Sequence, residues 1–308
     1  VPVHMLAGIA VFGAVAITPA LIGAAAAAGI AITLFERNGR FQARVEGPVA
    51  GNVLLRRAQY GASDDPTEIV RSIVLGKVAN QRAVLMRALR DYGTPRDDGM
   101  ADVASVADRL ASILRRVEKA TETPDVLRGA EGEAAALYFR VFGNLVRSDA
   151  PEFRWSGRSR RPPRDPVNAL LSFLYTLLVH DCRAACEAVG LDPAVGFLHR
   201  DRPGRPSLAL DLMEELRPVL ADRLVLSLIN RRQVAPADFT TGETGGVALT
   251  DTARRTVIGA WQERKKEERV HRFLEEAVPF GLLPFVQAQM LARTLRGDLS
   301  TYPPWLWT

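Results

Sequence analysis

Only two of the 308 residues are cysteine and only four are histidine. Cys182 and Cys186 are too few for a disulfide framework, and their spacing of four places them on neighbouring turns of one helix, as buried thiols in a reducing cytosol. A zinc site would need further ligands close by. Lysine is scarce too: Lys77, Lys119, Lys265 and Lys266 stand among 40 cationic side chains, and all the others are arginine. Against 35 acidic residues this gives a formal charge of +5, with a pI near 9.5. Arginine's planar fork suits phosphate better than an ammonium does. The balance therefore tilts toward a polyanionic partner such as nucleic acid, a weak sign because GC-rich coding also enriches arginine. No internal repeat is visible. A content of 47% hydrophobic and 24% charged residues describes a globular chain with a sizeable core, not a disordered or fibrous one.

Charge is missing altogether from Met5 to Phe35, a stretch long enough to span a bilayer. Its pattern argues instead for a buried strand, helix and strand. Ile9 to Phe12 is strand-like, Thr18-Pro19 is an N-cap followed by proline at the first helical position, and Gly29 sits where a helix ends. Ile30 to Phe35 reads as a second strand, and Asn38-Gly39 as a tight turn into a third over 40–45. The chain begins at Val1 without an initiator methionine and without a signal-peptide pattern, so the expectation is a chain that has lost an N-terminal piece.

Strand signals concentrate in the first ~70 residues, and nearly everything after Asp65 has helical spacing. The turn formers of Gly61 to Pro66 mark the break. The predicted fold class is α+β, with a small β-rich domain at 1–64 and a larger all-α domain at 65–308. Helices are predicted over 66–91, 100–119, 123–129, 131–147, 165–190, 207–229, 250–270 and 279–296. The segment Phe153 to Asp165 packs Arg154, Arg158, Arg160, Arg161 and Arg164 between two prolines and a tryptophan. It reads either as a solvated connection or as an arm that meets phosphate.

Two islands carry acidic residues in apolar or glycine-rich surroundings. Gly129-Ala-Glu131-Gly132 opens a predicted helix, so Glu131 reads either as a helix-terminal carboxylate favoured by the macrodipole or as a site residue. Gly196-Phe-Leu-His199 is followed by a turn and by a helix that Ser207 is expected to cap. On that helix Asp211, Glu214 and Arg217 share one face, and Leu208, Leu212, Leu216 and Leu220 form an apolar stripe. A histidine delivered onto an acidic helix face suits Mg²⁺ or Mn²⁺, which take carboxylate oxygen with one imidazole; a salt-bridged surface remains the alternative. His4, His180 and His271 look less useful. His180-Asp181-Cys182 is no nucleophile set, because adjacent helical residues point about 100° apart.

Taken in order, these blocks resemble the CRISPR-associated integrase family Cas one, in subtype I-C-like form, across nearly the whole chain. The resemblance rests on Gly-x-Glu-Gly with Ala-Ala-x-x-Tyr-Phe (129–139), on the run from Arg160 to Tyr175, on Gly-Phe-Leu-His (196–199) and on Arg205 to Glu215. It extends to Gly-Arg-Phe (39–41), to the run from Gly47 to Tyr60, and to Leu-Arg-Gly-Asp-Leu (295–299) with Tyr-Pro-Pro (302–304). It implies a metal-dependent DNA endonuclease-integrase that inserts short fragments as new spacers by attack of a 3′ hydroxyl, using Mg²⁺ or Mn²⁺. By the same resemblance Glu131, His199 and Glu214 hold the ion, with Asp211 a possible substitute, and Arg217 stands close to the scissile phosphate. Partners so implied are double-stranded DNA, the small Cas two protein, a Cas four nuclease and a second copy of the chain, in the cytoplasm and with no membrane. The family's β domain has opening strands that precede Val1. Candidate DNA contacts are Arg56, Arg57, Arg158, Arg160, Arg161 and Arg164, together with Arg115, Arg116, Arg254 and Arg255. The rival readings are a DNA-binding scaffold without catalysis and a stand-alone structure-specific metal nuclease, in which water replaces the 3′ hydroxyl.

Overall fold

The computed structural model describes residues 6, 8–36, 41–45, 47, 52–92, 98–119 and 123–307. It opens with β1 (Ile9–Phe12), α1 (Pro19–Ala27), β2 (Ile32–Phe35) and β3 (Phe41–Val45). The charge-free stretch thus folds as strand, helix and strand, with β1 parallel to β2 and β3 antiparallel to β2. The Thr18 hydroxyl accepts from the Leu21 amide at 3.2 Å, and Gly29 adopts φ +68° where α1 stops. The turn expected at Asn38-Gly39 lies outside the described residues, as does His4.

The rest of the chain is mainly helical: α2 (Val53–Ala62), α3 (Thr67–Tyr92), α4 (Asp98–Lys119), α5 (Pro124–Val141), α6 (Pro166–Val189), α7 (Ser207–Arg217) and α8 (Arg223–Asn230). Two short hairpins then flank α9 (Asp251–Lys266). They are β4 (Phe239–Thr241) with β5 (Val247–Leu249), and β6 (Glu268–His271) with β7 (Glu276–Pro279); α10 (Leu283–Leu295) follows. The second hairpin ends α9 at Lys266, short of the helix expected to run to 270, and neither hairpin was foreseen, because strands of three or four residues leave almost no period to read.

Helices 123–129 and 131–147 are one helix, α5, started by Thr123-Pro124. Neither Gly129 nor Gly132 has a neighbour within 4 Å of where a Cβ would sit, so this pair neither breaks the helix nor makes a close contact. Glu131 therefore stands mid-helix, away from the N-terminal dipole. Helix α2 packs on the helical body: Leu55 is buried in the helical core, and Gln59 donates to the carbonyls of Asp192 and Val195 at 2.8 Å each. The turn formers at 61–66 mark a loop within one packed body, and packing changes before α2.

Helix α6 organises that body. Asp165 caps it by accepting from the Asn168 amide at 2.7 Å, and Gly190 ends it at φ +94°. It is the one helix among the described residues long and apolar enough to cross a membrane, and half of its apolar window is buried inside the fold. The small sheet docks on it: Phe12 stacks on Phe35 at 4.7 Å, and Phe35 meets the His180 ring edge-on at 4.9 Å. Arg44 pairs with Glu187 at 2.5 Å. Cys182 and Cys186 are buried free thiols on α6, pushed up by burial.

Burial, reinforced by the charges of Arg44 and Arg183, holds His180 down at about 4 from an ordinary 6.5. In the unfolded chain this imidazole charges near pH 6.5, whereas in the fold it stays neutral to about pH 4. Folding stability should therefore fall as pH drops from about 6.5 toward 4. Urea unfolding of the unmodified chain and His180→Gln over that window checks this, and the variant should lose part of the slope.

Candidate active site

Helix α7 is buried from Ser207 to Leu216 except at half-buried Leu210, and carries Asp211, Glu214 and Glu215 into the interior. Pro206, not Ser207, occupies its cap position; Ser207 is the first helical residue, and its hydroxyl donates to the Arg200 carbonyl at 3.3 Å. The three carboxylates leave in three directions. Asp211 turns to the 197–199 loop, accepting from the amides of Phe197 (2.6 Å), Leu198 (3.0 Å) and His199 (2.9 Å) and contacting His199 Nδ1 at 2.7 Å. Glu215 turns to the C-terminal tail, accepting from the Tyr302 hydroxyl (2.5 Å), the Gln287 amide (2.9 Å) and the Trp305 backbone (2.6 Å). Burial pushes Glu215 up to about 7 against those three donors. Of the three, Glu214 is the one whose carboxylate lies beside Lys77 and Arg217.

The histidine loop is gripped from both sides. Asp211 takes its N–H groups, while Arg128 on α5 donates to the carbonyls of Leu198 (2.7 Å) and Phe197 (2.8 Å). Gly196 is required by contact: a Cβ there would lie 2.7 Å from Ser207 Cβ and 2.9 Å from Asp211 Oδ2. With Nδ1 donating to Asp211, His199 presents the lone pair of Nε2, 3.9 Å from Glu214 Oε1. Arg128 gave no signal in the sequence, where it reads as one more solvated helix cation.

Glu131 reaches the same space from α5. Between it and Glu214 stands a residue to which the sequence assigned no role: Lys77 of α3, 3% exposed, donates to Glu131 Oε1 and lies 2.6 Å from Glu214 Oε2. The Lys77–Glu214 contact is an ion pair without hydrogen-bond alignment, so Glu214 Oε2 is buried with no aligned donor. Arg217 holds the other oxygen, donating to Glu214 Oε1 at 2.7 Å. Burial would raise Glu214; Arg217, Lys77 and His199 outweigh it and bring it to about 2. Pro218 has no N–H for the Glu214 carbonyl, and the chain widens into a π turn at Pro218–Asp222 before α8.

Arg217 and Arg158 both lie over the Tyr175 ring, at 4.6 and 5.3 Å, and Tyr175 donates to Asp222 at 2.5 Å. Burial pushes Asp222 up to about 6. The 153–165 segment is thereby anchored, more firmly than a solvated connection or a free arm requires. Phe153 is buried, Trp155 stacks on Phe139 and donates to its carbonyl at 2.8 Å, and Arg158 turns inward to Asn168 at 2.7 Å. Arg160, Arg161 and Arg164 stay exposed. Arg160 joins Arg140 and Arg158 around a cavity of about 400 Å³ floored by Ala135, Ala136 and Phe139, one turn beyond Glu131. Arg57 is exposed and Arg56 half-buried on α2. Arg116 is paired with Glu133 at 2.7 Å, Arg115 and Arg255 are exposed, and Arg254 is buried against Asp251 at 2.9 Å, which removes it from the candidate contacts.

Glu131, His199, Glu214 and Arg217 are thus brought together, and Asp211 sits behind His199 as its support. Carboxylate oxygens of Glu131 and Glu214 with the Nε2 lone pair of His199 form a donor set of the kind that Mg²⁺ or Mn²⁺ takes. The buried Oε2 of Glu214, which faces only the Lys77 ammonium at 2.6 Å, fits such an ion. Among the described residues no three such ligands stand as a preassembled cage; the Lys77 ammonium lies where their oxygens converge.

The family model described as "CRISPR associated protein Cas1" matches residues 1–263. A relative from Rhodospirillum rubrum, "CRISPR-associated endonuclease Cas1 2", is 68% identical across 100% of this chain and 90% of its own length. Another, "CRISPR-associated endonuclease Cas1 1" from Chlorobaculum tepidum, is 51% identical over the same shares. A "CRISPR-associated exonuclease Cas4/endonuclease Cas1 fusion" from Geobacter sulfurreducens is 36% identical over 96% of this chain and 53% of its own. Among solved structures, a casposase bound to integration product superposes with a TM-score of 0.82 at 25% identity, covering 96% of this chain and 79% of its own. A Cas1 protein from Thermotoga maritima does so at 0.80 and 26%, covering 96% and 88%. A Cas6-RT-Cas1–Cas2 complex gives 0.78 and 25%, covering 98% and 32%.

Asp211 is fully buried and accepts from three amides. Asp211→Asn turns one acceptor into a donor facing them and should cost about 3 kcal/mol of stability. Urea unfolding measures that cost, and loosening of the His199 ring should show as altered imidazole NMR shifts.

Proposed function

From the premise that the chain belongs to the Cas1 endonuclease/integrase family, we propose that it joins DNA ends to DNA through a centre in which Glu131, His199 and Glu214 hold one Mg²⁺ or Mn²⁺ ion. The observation that supports this most is the convergence of α5, the 197–199 loop and α7 on one point, with Glu214 kept ionised and His199 Nε2 left free. When bound, the ion would polarise a phosphoryl oxygen and stabilise charge on the reacting 3′ oxygens. Transfer needs no protein nucleophile: the 3′ hydroxyl of an incoming fragment forms a new P–O bond as the target strand's P–O bond to its own 3′ oxygen breaks. One proton leaves the attacking hydroxyl and one reaches the leaving oxygen, so the number of phosphodiesters is conserved.

The surrounding residues have separable tasks. Asp211 fixes the imidazole tautomer, and Arg217, braced on Tyr175, offers its cation to the phosphate beside Glu214. Exposed Arg57, Arg160, Arg161 and Arg164, with Arg56, track DNA backbone, whereas Arg158 positions Tyr175 and Arg217 from below. The partners that fit are a Cas2 protein, a Cas4 nuclease and a second copy of the chain. The Cas1–Cas2 complex and the Cas4/Cas1 fusion among its likenesses favour the first two.

Mn²⁺-dependent strand transfer and cleavage on a branched duplex test the reading. Glu131→Gln, His199→Ala and Glu214→Gln should each lower the rate at least about a hundredfold while DNA binding persists. Full activity in any of them would remove that residue from the centre, and cleavage without joined product when Cas2 is present would favour a stand-alone nuclease. Replacing Arg160 and Arg161 together by Ala should instead weaken DNA binding uniformly across sequences and reduce the salt slope by about 2, as fluorescence anisotropy against salt reads it.

A further inference from the structure

The charges at the centre cancel before any ion enters. Glu131 and Glu214 bring two negative charges, and Lys77 and Arg217 bring two positive ones. The Asp211 charge is taken up by three backbone amides and the His199 ring. A divalent ion added to this balanced set would face two buried cations, one of them placed between the carboxylates it must reach.

Lys77 is suited to that position. In a chain whose cations are nearly all arginine, the cation buried here is a lysine, a compact charge on a flexible four-carbon stem. An arginine fork would pair bidentately with a carboxylate, whereas an ammonium can lie between two and swing away. Its backbone cannot follow. One residue before it, a Cβ at Gly76 would lie 2.8 Å from Pro304 and 3.0 Å from Glu215. One turn after it, Asn80 donates to the carbonyls of Glu215 (2.7 Å) and Trp305 (2.9 Å) and accepts from the Trp307 amide (2.8 Å). The tail and α7 therefore clamp α3 on both sides of Lys77, and any motion is confined to its side chain.

We propose that Lys77 is a resident counter-cation that occupies the metal position in the substrate-free protein and gives it up to a divalent ion when DNA phosphate supplies the compensating negative charge. This rests on the metal reading of Glu131, His199 and Glu214. The displaced ammonium then has phosphate as its partner, so ion and DNA bind cooperatively, and each raises affinity for the other by the same factor. The device keeps a nuclease centre weakly loaded until a strand is in place.

Electron paramagnetic resonance titration of Mn²⁺ into the whole chain tests this, alone and with a duplex whose 3′ ends are dideoxy, using unmodified protein, Lys77→Met, Lys77→Gln and Glu214→Gln. Circular dichroism and thermal unfolding check the fold of each. The unmodified protein should bind Mn²⁺ at least tenfold more tightly with DNA than without. Lys77→Met and Lys77→Gln should bind it at least tenfold more tightly without DNA and lose most of the gain that DNA gives, and Glu214→Gln should weaken binding in both conditions. If folded Lys77 variants bind Mn²⁺ no more tightly than the unmodified protein while Glu214→Gln still weakens it, the counter-cation role is overturned and the metal reading stands. If Glu214→Gln leaves Mn²⁺ binding unchanged, the metal reading falls and the proposal with it.

Discussion

Three carboxylates within five residues of a helix buried on every side must each find a partner, because an unpaired charge in that interior costs several kcal/mol. The fold is arranged around that demand. Asp211 is answered by the amides of the histidine loop, Glu215 by the C-terminal tail, and Glu214 by Lys77 and Arg217. Each answer pulls a distant segment against α7. The site is therefore assembled by the same contacts that bury the helix, and Glu214 is the one of the three carboxylates whose partners are side chains alone.

The same logic separates supporting residues from exposed ones. Arg128 and Asp211 hold opposite edges of the 197–199 loop, Arg158 and Arg217 share the Tyr175 ring, and Trp155 ties the arginine-rich segment to α5. Of these, Arg128, Asp211, Arg158 and Trp155 are engaged in positioning, and Arg217 also bonds Glu214. Arg160, Arg161 and Arg164 are exposed on this anchored base, with Arg160 at the cavity one turn beyond Glu131.

The tail completes the arrangement from behind. Tyr302, Trp305 and Trp307 close over α3 and α7 at Asn80 and Glu215, each adjacent in its helix to the side that bears Lys77 or Glu214. The rigid face of each helix lies toward the tail and the adjustable face toward the centre. Movement of side chains on the open face is then compatible with a fixed backbone beneath them.

The sequence by itself determined the strand, helix and strand at the start, the helical character of the body, and the two islands that carry Glu131, His199 and Glu214. Those signals are local: Thr18-Pro19 caps, Gly29 terminates, apolar spacing marks buried faces, and short ordered motifs mark a family. Tertiary structure alone decided that α5 runs through Gly129 and Gly132, that α2 packs with the helical body, and that 239–249 and 268–279 form hairpins. In each case long-range packing overrode weak local preference. It also decided which of Asp211, Glu214 and Glu215 faces the centre, since residues so close on a helix differ only in direction. Lys77 was illegible for the same reason: it stands between carboxylates far away along the chain, and no spacing within its own helix records them.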